Sequence, residues 1–320
     1  MGSVRWAFRC GSWTPSRSDW LFAARCVQRE EKDRIGQFVF AKDAKSAMIQ
    51  LSLCTSNTLA CLSLRQAGRL LLRKCVCERM GIPWSEIRLE RSPKGKPYLA
   101  APMKVSPDPG SGHPAWSFNL SHQGDYAVLA AEQGAQVGVD IMKTTMPGSS
   151  SVPEFFRIMT RQFTAYEWSV IQSGASEHQQ LAAFYRHWAL KESFIKAIGT
   201  GLGFNLQRVE FHLSPEPLTP KYALRQTKMH LDEEEDDDWV FEESLLDTDH
   251  HVAVALGPAD NADSAPLRPS FPPPTSFTLL SFSDLIASAS PLTEEDPACW
   301  DSFKMKAEAP LRQKETHAST

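Results

Sequence analysis

Three stretches of this 320-residue sequence combine residue types that could bind a charged ligand and a metal ion. In the first, residues 184–204, the apolar spacing predicts a helix on which Glu192 and Lys196 share one face, because they are four residues apart. Trp188 lies one turn before Glu192. On its own, this pattern is typical of a surface helix with an ordinary ion pair, so the other stretches must decide between the two interpretations.

A run of glycines follows this helix, in Gly199-Thr200-Gly201-Leu202-Gly203. Glycine loops that hold phosphates in dinucleotide-binding and P-loop proteins precede a helix instead of following one. We therefore expect these glycines to end the helix and to turn the chain toward the next strand.

The second and third stretches each place polar side chains in or beside an apolar strand. Asp140 lies near the end of the apolar run 137–141, where a carboxylate loses hydration unless a cation or hydrogen-bond donors compensate. Capping of the next element is the alternative for Asp140. In residues 118–130, Asn119, Ser121 and His122 cluster at a strand end. Both ligand binding and local turn hydrogen bonding fit that cluster.

Taken together, these stretches resemble the Sfp-like 4'-phosphopantetheinyl transferases. In that family, a G-[IV]-D strand end and the glutamate of a WxxKE helix hold Mg²⁺ against the pyrophosphate of coenzyme A. The resemblance covers residues 4–48 and resumes near residue 67, continuing past residue 256 into residues 277–291. It implies that Asp140 and Glu192 are the metal ligands and that Glu192 is also the catalytic group that accepts a proton.

The resemblance also implies a set of coenzyme A contacts, whose cationic and amide groups suit a pyrophosphate and a ribose phosphate. Many bacterial members carry a second carboxylate two residues after the aspartate, whereas this chain has Met142, so we expect water in that position and weaker Mg²⁺ binding. The implied coenzyme A contacts are Arg34, Arg91, Ser92, Pro93, Lys94, Gly95, Lys96, Asn119, Leu120, Ser121, His122, Asp140, Glu192 and Lys196.

The implied reaction transfers 4'-phosphopantetheine from coenzyme A to a serine of acyl or peptidyl carrier domains and releases adenosine 3',5'-bisphosphate. The implied partners are the carriers of fatty-acid synthase, the mitochondrial acyl carrier and aminoadipate-semialdehyde dehydrogenase. A coenzyme A acyltransferase is one alternative, although no Cys–His or Ser–His–Asp arrangement stands out for it. A non-catalytic coenzyme A-binding or carrier-interaction protein is the other.

The elements that position these residues are helices and strands mixed within two successive halves, which predicts an α+β fold and not a doubly wound sheet. The resemblance implies two similar halves related by a pseudo-two-fold axis, each a small antiparallel sheet packed on helices, and therefore a monomer. We expect the halves at residues 1–134 and 135–258, followed by a Pro-rich linker and tail at 259–320. Residues 277–286 are apolar enough to dock on the body, and the rest of the tail is expected to be loose.

Local patterns predict individual elements along the chain. Helical spacing covers residues 20–48, 68–80, 153–159, 164–171 and 181–198. Strand-like runs cover residues 4–8, 87–89, 98–99, 116–120, 126–131, 137–141, 209–213, 222–231, 239–245 and 251–256. The acidic run 232–238 lies between two strands and lacks the glycine and spacing of a calcium loop, so we interpret it as a solvated hairpin loop.

Residues 49–66 interrupt the resemblance with an apolar stretch rich in Cys, Ser and Thr. An added loop or helix extension is one interpretation, since the entropic cost of a loop grows slowly with its length. The other is a variant transcript or an error in the gene model. We favour the second because the insert would split a helix that packs the N-terminal half.

Composition limits the remaining possibilities. The formal net charge of −4 gives no overall positive field of the kind that attracts nucleic acid. No apolar run is long enough to span a bilayer, and the first residues show no secretory signal. The seven cysteines are scattered without metal-ligand spacing, which favours reduced thiols in the cytosol.

Overall fold

The structure is a computed structural model that describes residues 2–31, 58–91, 97–100, 116–146, 148, 150–259 and 271–308. Its N-terminal part contains β1 (Val4–Arg9), α1 (Arg17–Arg25), α2 (Thr58–Met80), β2 (Leu89–Arg91), β3 (Pro97–Leu99), β4 (Trp116–Gln123) and β5 (Tyr126–Gln133). The following part contains β6 (Gln136–Lys143), α3 (Val152–Met159), α4 (Ala165–Gln172), α5 (Glu177–Ile198), β7 (Val209–His212), β8 (Lys228–Leu231), β9 (Glu234–Glu235), β10 (Val240–Leu245) and β11 (His250–Gly257). Then come β12 (Thr278–Leu280), α6 (Phe282–Ile286) and α7 (Pro297–Glu308).

Two small sheets, each covered by a long helix, form the body of the protein. In the first sheet the strand order is β12-β1-β5-β4, and in the second it is β10-β11-β6. The outer face of the first sheet packs on α2 through a cluster that includes Leu70, Leu71 and Leu72. The outer face of the second packs on α5 through Phe184 and Trp188. The predicted α+β class, with small sheets and helices, is therefore confirmed.

The inner faces of the two sheets share a third apolar cluster. Val128 from β5, Val139 from β6 and Val254 from β11 are all buried in it. Arg5 crosses the same boundary, because its guanidinium bonds Glu132 of β5 at 3.2 Å and Glu242 of β10 at 2.9 Å. Burying these charges costs hydration, which the pairing and the extra hydrogen bonds offset.

Side chains of β4 connect the two sheets along the line where β4 runs beside β6, a line we call the seam. Ser117 Oγ accepts a hydrogen bond from the backbone N–H of Val137 at 3.3 Å. Asn119 Oδ1 likewise accepts from the N–H of Val139 at 3.2 Å. These polar side chains recur at every second residue because alternate residues of a strand face the same side. Along the seam, the N–H groups of β6 therefore donate to side-chain oxygens of β4 and not to backbone carbonyl oxygens.

The tail of the chain returns to the N-terminal sheet, as predicted for residues 277–286. Strand β12 pairs with β1 in parallel, so this sheet is mixed and not purely antiparallel as expected. Leu285 is 1% exposed within the core that covers α2. The expectation that the later residues are loose was wrong for α7, because Phe303 stacks on Trp20 with ring centroids 3.9 Å apart. Residues 309–320 lie outside the described residues. Their aromatic area is removed from water only when the two helices meet.

The helix predicted at residues 20–48 ends at Arg25, and residues 32–48 lie outside the described residues. Most of the other described elements agree with the predictions except at their ends. Gly199 ends α5 with a φ of +68°, the left-handed conformation that glycine adopts without a Cβ clash. The acidic run is a hairpin, in which Glu234–Glu235 pairs back on β8. The strand predicted at 222–231 begins only at Lys228. The segment before it contributes a single bridge from Leu224, because the chain still follows an irregular path after Pro220.

The second half of the insert is helical, since α2 begins at Thr58. Gln66, its last residue, is buried, and its amide donates a hydrogen bond to the carbonyl oxygen of Ala23 at 2.7 Å. Residues 49–57 lie outside the described residues. None of the helices in the described ranges is both long and apolar enough to cross a membrane.

A pH dependence of stability follows from two buried histidines. Burial lowers the pKa of His187 and of His251 to about 4, whereas an exposed histidine titrates near 6.5. The unfolded chain therefore binds protons that the folded chain excludes, and the free energy of unfolding falls as the pH drops from about 6.5 toward 4. Each histidine contributes a slope of up to about 1.4 kcal/mol per pH unit.

We predict that His187→Leu flattens this slope by one histidine's contribution, as measured by urea denaturation between pH 7 and pH 5. The matched control is His178→Leu, which changes an exposed histidine of the same helix and should leave the slope as in the wild type. An unchanged slope in the His187 variant would contradict the prediction.

Candidate functional site

The site is built around the carboxylate of Asp140 on β6. Asp140 is only 4% exposed. It lies inside the strand and not at its end as predicted, because β6 continues to pair with β11 as far as Lys143. Its Oδ1 accepts hydrogen bonds from Ser121 Oγ at 2.8 Å and from Lys196 Nζ at 2.5 Å. Its Oδ2 is buried, and no atom of the described residues bonds it.

Lys196 connects the three elements that meet at this point. From the last turn of α5, its ammonium donates to Asp140 of β6, to Ser121 Oγ of β4 at 2.9 Å and to the carbonyl oxygen of Val139 at 3.3 Å. The side chain as a whole remains 29% exposed. Asp140, Ser121 and Lys196, which were identified separately in the sequence, therefore lie together.

Glu192 lies one helical turn before Lys196 and is partly exposed. Burial and the negative charge of Asp140 raise the pKa of Glu192 to about 7, while the charge of Lys196 acts in the opposite direction. Two carboxylates that repel each other fit a shared cation, particularly where one oxygen has no partner among the described residues. The described residues supply no third histidine, cysteine or acidic group there. Any metal ion would take its other ligands from water and phosphate, as Mg²⁺ commonly does.

Gly138 explains how α5 comes close enough to β6 to form this site. A Cβ atom at Gly138 would lie 2.0 Å from the carbonyl oxygen of Ser193 and 2.5 Å from the backbone nitrogen of Ala197. Both atoms belong to the helix backbone and cannot move aside independently. The glycine two residues before Asp140 is therefore required by packing.

Two other residues of the WxxKE pattern point away from the site. Trp188 is buried in the apolar cluster beneath α5, beside Phe163 and Phe184. Lys191 is also buried and forms an ion pair with Glu167 of α4 at 2.7 Å. Reasoning from the sequence had assigned Lys191 no role. Its position could have revealed a role, because Lys191 lies on the side of the helix that the apolar spacing predicts to be buried.

The other predicted contacts are distributed differently. Asn119 uses its amide oxygen at the seam, and Leu120 packs on the N-terminal core. His122 is exposed at the end of β4. Met142 is buried in the apolar cluster beneath α5 and supplies no carboxylate. Arg34, Ser92, Pro93, Lys94, Gly95 and Lys96 lie outside the described residues, as does the side chain of Arg91.

Comparison with known proteins assigns the chain to a family. A family model described as "4'-phosphopantetheinyl transferase, N-terminal" matches residues 11–134, and that of the 4'-phosphopantetheinyl transferase superfamily matches residues 136–255. This chain therefore belongs to the 4'-phosphopantetheinyl transferase superfamily and is a transferase.

Individual relatives support the same assignment over nearly the whole chain. L-aminoadipate-semialdehyde dehydrogenase-phosphopantetheinyl transferase from Xenopus laevis is 53% identical over 314 residues, which cover 98% of this chain and 96% of the relative. The Homo sapiens protein of that name is 52% identical over 315 residues, covering 98% and 94%. A phosphopantetheinyl transferase from Thraustochytrium sp. is 37% identical over 267 residues, covering 82% and 81%.

We predict that Gly138→Ala lowers the rate of phosphopantetheine transfer by about 100-fold, because a displacement of about 1 Å at a reacting group has that effect. The same overpacking should destabilise the fold by about 1–3 kcal/mol. Transfer kinetics and urea denaturation measure the two effects. Gly68→Ala is the matched control, since nothing lies within 4 Å of its added Cβ. Wild-type transfer by the Gly138 variant would exclude the packing argument.

Proposed function

We propose that this chain transfers 4'-phosphopantetheine from coenzyme A to a serine of acyl and peptidyl carrier domains, converting the apo carrier to the holo carrier. Adenosine 3',5'-bisphosphate is the second product. The observation that carries the proposal is the juxtaposition of Asp140, Glu192 and Lys196 where β4, β6 and α5 meet. Two carboxylates suit a divalent cation, and that cation together with the Lys196 ammonium suits a substrate whose reacting group is an anionic pyrophosphate.

Asp140 and Glu192 are the residues that would hold Mg²⁺. The buried Oδ2 of Asp140, which has no partner among the described residues, supports this assignment, because such an oxygen is costly unless a donor or cation compensates it. When bound, Mg²⁺ neutralises negative charge on the pyrophosphate oxygens. Lys196 adds a second positive charge beside Asp140, which favours binding of a phosphate at this site.

The transfer itself requires a proton acceptor for the carrier serine. The serine oxygen attacks the phosphorus that bears the pantetheine arm, and the bond from that phosphorus to the adenosine part of coenzyme A breaks. We assign the serine proton to Glu192, directly or through one water. General base assistance of this kind contributes about 10²–10⁴-fold to the rate.

The coenzyme A contacts are proposed from the family resemblance. Ser121 and Lys196 already border Asp140, and His122 is exposed two residues before the turn that joins β4 and β5. The remaining proposed contacts are Arg34, Arg91, Ser92, Pro93, Lys94, Gly95, Lys96, Asn119 and Leu120.

We further propose that the chain is a cytosolic monomer of two pseudo-symmetric halves, at residues 1–134 and 135–258. Support comes from the repeated arrangement of a small sheet covered by one long helix, α2 in one half and α5 in the other. The shared apolar cluster between the sheets supports a monomer, because it buries the interface within one chain. Free thiols at Cys10, Cys26, Cys75, Cys77 and Cys299 support a reducing compartment.

The names of the relatives suggest one of the carrier partners. Those names link the Xenopus and human proteins to L-aminoadipate-semialdehyde dehydrogenase. We propose the carrier domain of that enzyme as one substrate, with the carrier domain of fatty-acid synthase and the mitochondrial acyl carrier as others.

The decisive test is mass spectrometry of an apo acyl carrier after incubation with this protein, coenzyme A and Mg²⁺. We expect the carrier to gain one phosphopantetheine arm and Asp140→Ala to abolish the gain. A gain of an acyl group from acyl-coenzyme A would instead indicate an acyltransferase. An unmodified carrier together with measurable coenzyme A binding would indicate a non-catalytic binding protein.

We predict that Glu192→Gln lowers kcat by about 10²–10⁴-fold, the range for loss of a general base, while part of the coenzyme A affinity remains. Transfer kinetics and isothermal titration calorimetry measure the two quantities. The control is Glu177→Gln, which changes an exposed glutamate in the first turn of the same helix and should retain activity. Wild-type turnover by Glu192→Gln would remove Glu192 from both of its proposed roles.

A further inference from the structure

The ion pair between Lys191 and Glu167 is fully buried, with both side chains 0% exposed. The Lys191 ammonium has three partners: Glu167 Oε2 at 2.7 Å, the carbonyl oxygen of Leu206 at 2.8 Å and that of Val209 at 2.6 Å. An ammonium has three donors, so all of its hydrogen-bonding capacity is used. These three contacts therefore hold the Lys191 ammonium in a single position.

The carboxylate of Glu167 also accepts hydrogen bonds from two backbone N–H groups. Its Oε2 accepts from the backbone N–H of Thr164 at 2.9 Å, where α4 begins, and its Oε1 accepts from that of Phe211 on β7 at 3.0 Å. Burial raises the pKa of Glu167 and lowers the pKa of Lys191, while each charge counteracts the shift in the other. The pair therefore ties α5 to both α4 and β7.

Lys191 immediately precedes Glu192 on α5, so fixing one fixes the direction of the other. Successive residues of an α-helix are about 100° apart, and side chains extend about 5–6 Å from the axis. A rotation of the helix by about 20° would thus move the Glu192 carboxylate by about 2 Å. A displacement of about 1 Å can cost about 100-fold in rate.

The apolar residues of α5 do not provide the same directional constraint. Burial of Trp188 and Phe184 is favourable in proportion to the area removed from water, and this term has no preferred direction. Hydrogen bonds weaken steeply when their angles change. The polar anchor therefore adds a directional resistance to rotation of the helix that burial of apolar area alone does not supply.

We propose that Lys191 and Glu167 form a positioning pair that sets the rotation of α5 and thereby aims Glu192 at Asp140. This inference rests on the proposed function of Glu192 and adds two residues that never touch the substrate. Within the WxxKE pattern, the lysine serves to orient the glutamate that follows it.

The test compares Lys191→Met with the double variant Lys191→Met/Glu167→Met. Removing one partner leaves a buried charge, whereas removing both replaces an ion pair with apolar side chains, which is often tolerated. We expect kcat for carrier modification to fall at least about tenfold in both variants, a loss corresponding to less than 1 Å of misplacement. We also expect half-maximal activity to require more Mg²⁺, because the two carboxylates no longer converge.

The control is Leu72→Ala, which truncates a fully buried residue of the N-terminal core. It should lower the melting temperature by creating a cavity while leaving kcat and the Mg²⁺ midpoint unchanged. All assays are run at a temperature where circular dichroism shows that each variant is folded. Loss of stability alone would affect the control and the anchor variants in the same way.

Wild-type kcat and wild-type Mg²⁺ dependence in the folded double variant would overturn the positioning role. An equal loss of kcat in Leu72→Ala would also overturn it, since the loss would then track stability. The wild-type protein is assayed in parallel. If the wild-type protein itself leaves the carrier unmodified, the proposed function is wrong, and the inference that rests on it fails as well.

Discussion

The structure depends on compensating one buried negative charge, that of Asp140. A carboxylate that is 4% exposed is stable only if donors or cations replace the water that it has lost. Ser121 supplies one donor from β4 and Lys196 supplies a cation from α5, so three elements must converge within hydrogen-bonding distance. Among the described residues, no group bonds the second oxygen of Asp140, and this oxygen supports the proposal that a cation binds there.

Convergence on Asp140 requires the two sheets to be joined with little freedom. The seam does this through acceptors on β4, such as the Asn119 amide oxygen, that receive N–H groups of β6. Arg5 adds a buried charged connection between β5 and β10. Because these contacts are directional, they fix the relative position of the strands more closely than the shared apolar cluster alone would.

Different residues of helix α5 fix the helix in the core and form the candidate site. Gly138 on β6 allows the helix backbone to approach, and Trp188 and Lys191 hold its buried side. Glu192 and Lys196 are left on the side that faces Asp140. A single helix can serve both purposes because residues three or four positions apart share a face while adjacent residues do not.

The sequence by itself determined the α+β class, most element positions and the glycine that ends α5. Through the family motif, it also identified Asp140, Glu192 and Lys196 as candidate site residues. These follow from local periodicity, from the backbone freedom of glycine and from short patterns. The tertiary structure alone decided that Asp140 lies inside β6, that Ser121 bonds it, that Glu167 is the partner of Lys191 and that the tail packs on Trp20. Each of these depends on which distant segments become neighbours, and local patterns carry no information about that pairing.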